Sequence, residues 1–385
     1  MAKTAEQTQR KHPIIATCAK VVLGLVVVLA LVVAIVVAQF MGKVSSTERL
    51  DAQGYLYKVE YAGSYDNPLY RIPLRLLQSK SCSTFTCENE EGDVITARNF
   101  DYPHVDADGN TTGLNAVVEL HPEGRYASIN ACDVALLQTL DTSFVGGALE
   151  TGAQDSPFMA LLPFLCMDGM NEKGLVCSIM YLDIREGDTA TSQDAAGKED
   201  VVITELLRYA LDDCATTDEV IELAKQYNMH GILGGDYHML VNDATGHSVV
   251  LEWQDNQLQV VETDASTNFY LSSDDAQDSY LGDQLRESWT GAADVRKDYA
   301  YGYGHGYERF KTVVTALDAN RDSADEPAVM SLDAARDVLA SVAQTYVEGQ
   351  PTSMTQYSAV YNATDLTLDL WVQQDYSSQY SFSLD

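Results

Sequence analysis

Residues Cys82 to His104 read CSTFTCENEEGDVITARNFDYPH. Thr84 to Cys87 and Val94 to Ala97 have strand composition, and Glu90-Glu91-Gly92-Asp93 between them has turn chemistry, so the stretch reads as an antiparallel hairpin. The hairpin sets a thiol, Cys82, at the head of its first strand. Its second strand carries Arg98 and delivers Asp101 at or just past its end, so thiol, cation and carboxylate gather near one sheet edge. A guanidinium beside a thiol favours the thiolate and lowers its pKa from about 8.5, the condition for a strong nucleophile near neutrality. On spacing alone, the same pattern also describes a buried strand cysteine beside a surface ion pair.

Downstream, further strand pairs are joined by turns. Ala116 to Leu120 and Tyr126 to Asn130 flank Pro122-Glu123-Gly124, and Tyr237 to Asn242 and Ser248 to Trp253 flank Asp243 to Gly246. Helical periodicity puts Val202, Leu206, Tyr209 and Ala210 on one face of Val201 to Cys214. Thr216-Thr217-Asp218-Glu219 has capping-box spacing ahead of a second helix, and Leu332 to Tyr346 reads as a third. Hairpins around a helical block, without βαβ alternation or repeats, predict an α+β domain on antiparallel sheet.

Of 385 residues, 46% are hydrophobic, enough for one large core or two modest ones. Residues 1–81 carry 10 Lys+Arg against 5 Asp+Glu, and residues 82–385 carry 14 against 52. So acidic a surface repels phosphate backbones, and nucleic acid is not expected as a partner. Val21 to Phe40 (VVLGLVVVLALVVAIVVAQF) runs for 20 positions without a charge. At about 1.5 Å per residue this crosses a hydrocarbon core of about 30 Å. Lys3, Arg10, Lys11 and Lys20 precede it, so the positive-inside bias predicts a cytoplasmic N-terminus and an extracytoplasmic bulk. A cleaved signal peptide is the alternative, disfavoured because the run exceeds the usual h-region of about 7 to 15 residues. The expected organisation is a cytoplasmic tail at 1–20, a transmembrane helix at 21–40, a membrane-proximal prosegment at 41–81 and a catalytic domain at 82–385. Within the prosegment, Gly54 to Tyr61 alternates like a strand and Pro68 to Lys80 reads as a connector.

The seven cysteines are Cys18, Cys82, Cys87, Cys132, Cys166, Cys177 and Cys214. No CxxC pair or Cys/His ligand spacing points to zinc. An oxidising compartment would allow one or two disulfides, whose pairing the sequence does not give.

The block at Cys82 resembles the start of the mature chain in the choloylglycine hydrolase family, which includes bile salt hydrolases and penicillin V acylases and belongs to the N-terminal-nucleophile (Ntn) hydrolases. Asp168 to Leu182 (DGMNEKGLVCSIMYL) resembles its second signature and His238 to Trp253 (HMLVNDATGHSVVLEW) its central hairpin. Thr267-Asn268-Phe269 is similar to its TN motif, Arg309-Phe310 to its RF motif, and Gln356 to Leu370 (QYSAVYNATDLTLDL) to its closing strands. Several matches in the right order are more specific than any one. The resemblance implies the Ntn αββα four-layer sandwich, antiparallel sheets between helices. It also implies Cys82 as nucleophile, Arg98 and Asp101 as its partners, Asn268 as an oxyanion-hole donor and Arg309 as a second active-site arginine. Tyr181 falls at the remaining oxyanion position, where bile salt hydrolases resemble an Asn and penicillin V acylases carry Tyr. That departure tilts the expected substrate away from bile salts. Tyr270 stands where Pro is common after Thr-Asn-Phe.

In this family the base is the α-amino group of the cysteine itself, whose reference pKa of about 7.7 to 8.0 suits proton transfer near neutrality. The implied activity is hydrolysis of linear amides in small N-acyl substrates, without metal or organic cofactor. Bile-conjugate hydrolysis, acid-amidase-like cleavage of fatty amides and a non-catalytic, membrane-tethered binding protein on the same scaffold are the alternatives. A Cys/His hydrolase using His104, His121, His230, His238, His247 or His305 has no local motif behind it. A homo-oligomer is left open. For the amine to act, the Ser81-Cys82 bond must be cut, which would release the domain from its anchor unless Gly54 to Tyr61 stays docked as an edge strand.

Overall fold

The computed structural model describes residues 44–63, 81–102, 114–134, 162–163, 165–182, 190–232, 235–272, 306–324, 326–345 and 354–384, together with Leu31 and Ile35. The hairpin expected at Cys82 is formed by β3 (Ser81–Glu88) and β4 (Val94–Tyr102), in a register that sets Cys82 opposite Phe100 and Thr84 opposite Arg98. Its turn is held by Asn89, whose Oδ1 accepts from the N–H groups of Glu91 (2.9 Å) and Asp93 (2.8 Å), and by Gly92 at φ 86°. Strand alternation then divides the chemistry. Cys82, Thr84, Arg98 and Phe100 share one face. Ser83, Asn99 and Asp101 share the other.

This hairpin belongs to a six-stranded sheet ordered β14-β3-β4-β15-β16-β17, completed by β14 (Ala265–Ser266), β15 (Met354–Asn362), β16 (Thr367–Val372) and β17 (Tyr380–Ser383). Facing it is a nine-stranded sheet. In spatial order it runs β1 (Val44–Arg49), β2 (Leu56–Ala62), β5 (Asn115–His121), β6 (Ser128–Asp133), β7 (Cys166–Asn171), β8 (Val176–Leu182), β11 (Asp236–Asn242), β12 (Ser248–Gln254) and β13 (Gln257–Glu262). All neighbours are antiparallel except β2 and β5. A separate parallel pair is made by β9 (Glu199–Val202) and β10 (Tyr227–His230).

Each sheet buries both faces. Val118, Ile179, Met239 and Leu251 of the nine-stranded sheet pack with Leu206 and Ala210 of α1 (Ile203–Asp213) and Val220 of α2 (Thr217–Ala224). Its other face, with Met170, Val176, Met180 and Leu240, joins Phe100 and Tyr357 of the six-stranded sheet in a second core. That core continues to Phe310 and Val313 of α3 (Gly306–Ala319) and Leu339 of α4 (Leu332–Ser341). Asn99 on the outward face of β4 donates to the Leu339 carbonyl (2.8 Å), which fixes α4 on the far side of that sheet. The packing order is helices, sheet, sheet, helices.

The cap at α2 is close to expectation: Thr216 Oγ1 accepts from Glu219 N at 3.3 Å, while Glu219 reaches back to Ala215 N (2.6 Å), one residue earlier than a capping box requires. Helix α1 begins two residues later than expected because Glu199 to Val202 extends into the pair with β10. Helix α4 ends at Ser341 instead of Tyr346. Helix α3 carries the RF motif, Arg309-Phe310.

The segment ahead of Cys82 is more deeply built in than an edge strand. Strand β2 lies between β1 and β5 and pairs with β5 from Leu56↔Asn115 to Ala62↔His121. Leu56, Val59 and Tyr61 are fully buried. Cys132 and Cys166, partners across β6 and β7, form a disulfide. Cys82, Cys87, Cys177 and Cys214 are not disulfide-bonded. The apolar span 21–40 lies outside the described residues except for Leu31 and Ile35, which are helical and exposed. Among the described residues no helix is long and apolar enough to cross a membrane.

Candidate active site

Strand register alone brings Cys82 and Arg98 together, on adjacent strands and on the face turned toward the second sheet. Both are fully buried, and Arg98 Nη2 donates to Cys82 Sγ (3.2 Å) and to the Ile179 carbonyl on β8 (2.7 Å). Arg98 Nε forms an ion pair with Asp168 on β7. Burial works to strip the Arg98 proton, but the charges at Cys82 and Asp168 outweigh it and hold its pKa above the ordinary value. The other free thiols lack this environment. Burial, reinforced by Asp264 and Glu88, pushes Cys87 up to about 12. Burial also raises the Cys177 thiol above its ordinary value and, with Glu219 and Asp213, pushes Cys214 up to about 12.

The backbone of Cys82 is gripped from the opposite side. Cys82 N donates to Asn268 Oδ1 (2.8 Å), and Arg309 Nη1 donates to the Cys82 carbonyl (2.6 Å) and to Ser83 Oγ (2.6 Å). Arg309 Nη2 donates to the same Asn268 Oδ1 (2.7 Å), while Asn268 Nδ2 donates to the Tyr181 carbonyl (2.7 Å). Burial lowers the Arg309 pKa against the pull of Asp101 and Cys82.

Asp101 sits on the helix side of its sheet. Its oxygens accept from Thr355 Oγ1 (2.5 Å), Gln344 Nε2 (2.7 Å) and Arg309 Nη1 (3.4 Å). With Ser81 still attached, it reaches Cys82 through Arg309 instead of contacting the Cys82 nitrogen. Tyr181 meets the site through its backbone. Its ring packs on the helix-side core, edge-on to Tyr237 at 5.5 Å. It also covers Gly235, where an added Cβ would lie 2.5 Å from the ring. All six residues expected from sequence therefore fall in or against one constellation.

The structure adds neighbours whose part in the site no motif marks. Asp168 accepts from Tyr357 (2.6 Å) and Tyr361 (2.5 Å), so the first residue of the second signature and two residues of the closing strands form one buried cluster with Arg98. The available signal was the i, i+4 spacing of the tyrosines on a strand, which puts both on one face. His238 is a second case. Its Nε2 faces the Thr267 carbonyl (2.7 Å), which can only accept, so Nε2 carries hydrogen, and Nδ1 shares a further proton with Glu252 (2.8 Å). Glu252 also accepts from Leu271 N (2.9 Å) and Ser272 N (2.8 Å), and Tyr270 donates to Asp236 (2.7 Å). The loop bearing Asn268 is thus pinned on both sides despite lacking the expected proline.

Among the described histidines, none contacts Cys82. His230 and His247 face carboxylates on the surface, and His121 is exposed. His104 and His305 lie outside the described residues. Among the described residues no group of three or more His, Cys, Asp or Glu side chains is placed to hold a metal ion.

A family model described as linear amide C–N hydrolases, choloylglycine hydrolase family, matches residues 82–290. The bile salt hydrolase/transferase of Clostridium perfringens (strain 13 / Type A) is 29% identical over 101 residues, which cover 25% of this chain and 30% of that protein. A mutant conjugated bile acid hydrolase from Clostridium perfringens superposes with a TM-score of 0.53 at 16% identity, over 79% of this chain and 92% of the other. A second variant of that hydrolase gives 0.54 at 14%, over 78% and 92%. At such identities the likeness is one of fold. With the family matched over more than half the chain, from the strand of Cys82 through the Asn268 loop, the chain belongs to the choloylglycine hydrolase family of linear amide C–N hydrolases.

Proposed function

We propose that this protein hydrolyses linear amide bonds of small N-acyl substrates, with Cys82 as nucleophile and its own α-amine as base. The observation that carries the reading is the double environment of Cys82: its sulfur lies 3.2 Å from Arg98 Nη2 and its nitrogen 2.8 Å from Asn268 Oδ1. Cleavage of Ser81-Cys82 turns that nitrogen into an amine already held beside the thiol. The amine takes the thiol proton as Sγ attacks the acyl carbon. The oxyanion is met by donors near Asn268 and the backbone at Tyr181, each such donor contributing about 2.7 to 4 kcal/mol to transition-state binding. The proton then passes to the leaving amine as the C–N bond breaks. Water adds to the thioester carbonyl, the C–S bond breaks, and the carboxylic acid departs with the thiol restored.

Within this chemistry, an acyl group of the penicillin V acylase kind is favoured over a bile acyl group, because Tyr181 stands at the oxyanion position in place of Asn. The catalytic domain is read as extracytoplasmic and tethered through residues 21–40. The 20-residue apolar run supports that reading, as does the Cys132–Cys166 disulfide, a bond that persists in oxidising compartments.

The test compares kcat/KM for a phenoxyacetyl or aliphatic acyl amide with that for glycine- and taurine-conjugated bile salts, using the wild type and Cys82→Ala. The wild type should prefer the first group and the Ala variant should turn over neither. A preference for bile conjugates overturns the acyl assignment. Retained hydrolysis by the Ala variant overturns the nucleophile.

A further inference from the structure

Four buried residues outside the reaction steps just given converge on the nucleophile: Asp168, Tyr357, Tyr361 and Ala359. Ala359 on β15 lies directly opposite Arg98 on β4, and Tyr357 and Tyr361 flank it two residues to either side. The small side chain leaves room for the guanidinium. The two tyrosines, on the same face, reach across to the other sheet, Tyr357 to Asp168 Oδ2 and Tyr361 to Oδ1. Each carboxylate oxygen thus has its own hydroxyl donor, and the group cannot rotate without losing one. Burial holds both tyrosine hydroxyls well above their ordinary pKa, so they remain donors.

Asp168 in turn holds Arg98. A guanidinium is a rigid plane, so two anchors define its orientation. Here the anchors are Asp168 against Nε and the Ile179 carbonyl against Nη2, and both belong to the nine-stranded sheet. Cys82 belongs to the six-stranded sheet. The hydrogen bond to sulfur is made by the same Nη2 that the Ile179 carbonyl anchors.

We propose that Asp168, locked by Tyr357 and Tyr361, is a positioning residue that sets the Arg98 guanidinium against the Cys82 thiolate, so that docking of the two sheets governs the reactivity of the nucleophile. The proposal rests on Cys82 being the nucleophile, and its test is read without substrate so that the two stand or fall separately. A plain inter-sheet staple would hold the sheets together equally well but leave the thiol indifferent to the tyrosine hydroxyls.

The experiment measures the pH dependence of Cys82 alkylation by iodoacetamide in the full protein, quantified on the Cys82 peptide by mass spectrometry, for Tyr357→Phe, Tyr361→Phe, the double variant and Asp168→Asn. The expected result is a midpoint displaced to higher pH in all four, by about one pH unit in Asp168→Asn, with a fall of about tenfold in kcat at neutral pH and little change in KM. A purely electrostatic role gives the opposite sign, because removing the carboxylate would leave Arg98 uncompensated and lower the midpoint. That result in Asp168→Asn overturns the proposal. So does an unchanged midpoint in the double Phe variant, whatever happens to its melting temperature. If Asp168→Asn does not fold, the Phe variants, which keep the rings and remove only hydroxyls, decide alone.

Discussion

Arg309 Nη1 donates to the carbonyl oxygen of Cys82 at 2.6 Å, so one arginine holds the backbone of Cys82 where another, Arg98, holds its sulfur. The same guanidinium bonds Ser83 Oγ and Asn268 Oδ1. With Asp101 Oδ2 at 3.4 Å, four acceptors are divided between Nη1 and Nη2, an arrangement that requires a planar fork.

Arg309→Lys therefore keeps the charge but not the geometry. It should lower kcat by roughly a hundredfold, the scale of a lost preorganised donor. The midpoint of Cys82 alkylation should move less than in Arg98→Ala. Wild-type kcat in the Lys variant would show that charge alone suffices.

Arg98→Ala removes the cation that favours the thiolate, so the thiol pKa should rise and the acidic limb of the kcat/KM profile should move to higher pH. Its effect on stability has a definite sign. Burial already holds Asp168 above its ordinary 3.8 against the opposing pull of Arg98 and the two tyrosines. Without Arg98 the folded-state pKa rises further. A raised pKa gives stability that is complete below the unfolded value and lost as pH rises through the folded one. Relative to wild type, Arg98→Ala should thus be least destabilised near pH 3 and progressively more so toward neutrality, where an unpaired buried carboxylate costs about 3 to 5 kcal/mol. Denaturant titrations at several pH values check this, and an acid-sensitive deficit would contradict it.

Glu252 receives His238, Leu271 N and Ser272 N while fully buried. Glu252→Ala should lower unfolding free energy by about 3 to 5 kcal/mol, because His238 and two backbone donors lose their acceptor. Activity in the fraction that remains folded should drop as well, since the pinned loop carries Asn268. Urea unfolding followed beside kcat separates the two effects.

If Ser81-Cys82 is cleaved, the N-terminal fragment should remain bound. Strand β2 lies inside the sheet with Leu56, Val59 and Tyr61 buried, each contributing roughly 1.5 to 3 kcal/mol, beside a seven-pair ladder to β5. Native mass spectrometry should find a two-chain particle that separates under denaturing conditions into a fragment ending at Ser81 and one beginning at Cys82. Active enzyme with an intact Ser81-Cys82 bond would remove the α-amine from the mechanism.

Much of this protein was legible in the linear chain because its determinants are local. The turn at Glu90 to Asp93 and the period-two alternation of β3 and β4 place Arg98 beside Cys82 through two adjacent strands and nothing else. The cap at Thr216 and the hairpin at Asp243 to Gly246 depend on a few neighbouring residues in the same way. Asn268 and Arg309 could be named only through an ordered set of motifs, since 186 and 227 residues separate them from Cys82. What tertiary structure alone decided is how the two sheets meet. Their docking pairs Asp168 with Arg98 and two tyrosines from the far end of the chain, and turns the Tyr181 ring away so that its carbonyl serves the site, while Asp101, on the outward face, meets Thr355 across the β4–β15 ladder and Gln344 beyond α4. Within the nine-stranded sheet, β1 covers the free side of β2 and takes it from the edge into the sheet. Strand periodicity tells which residues share a face, but which face meets which partner is settled by burying two sheets against each other.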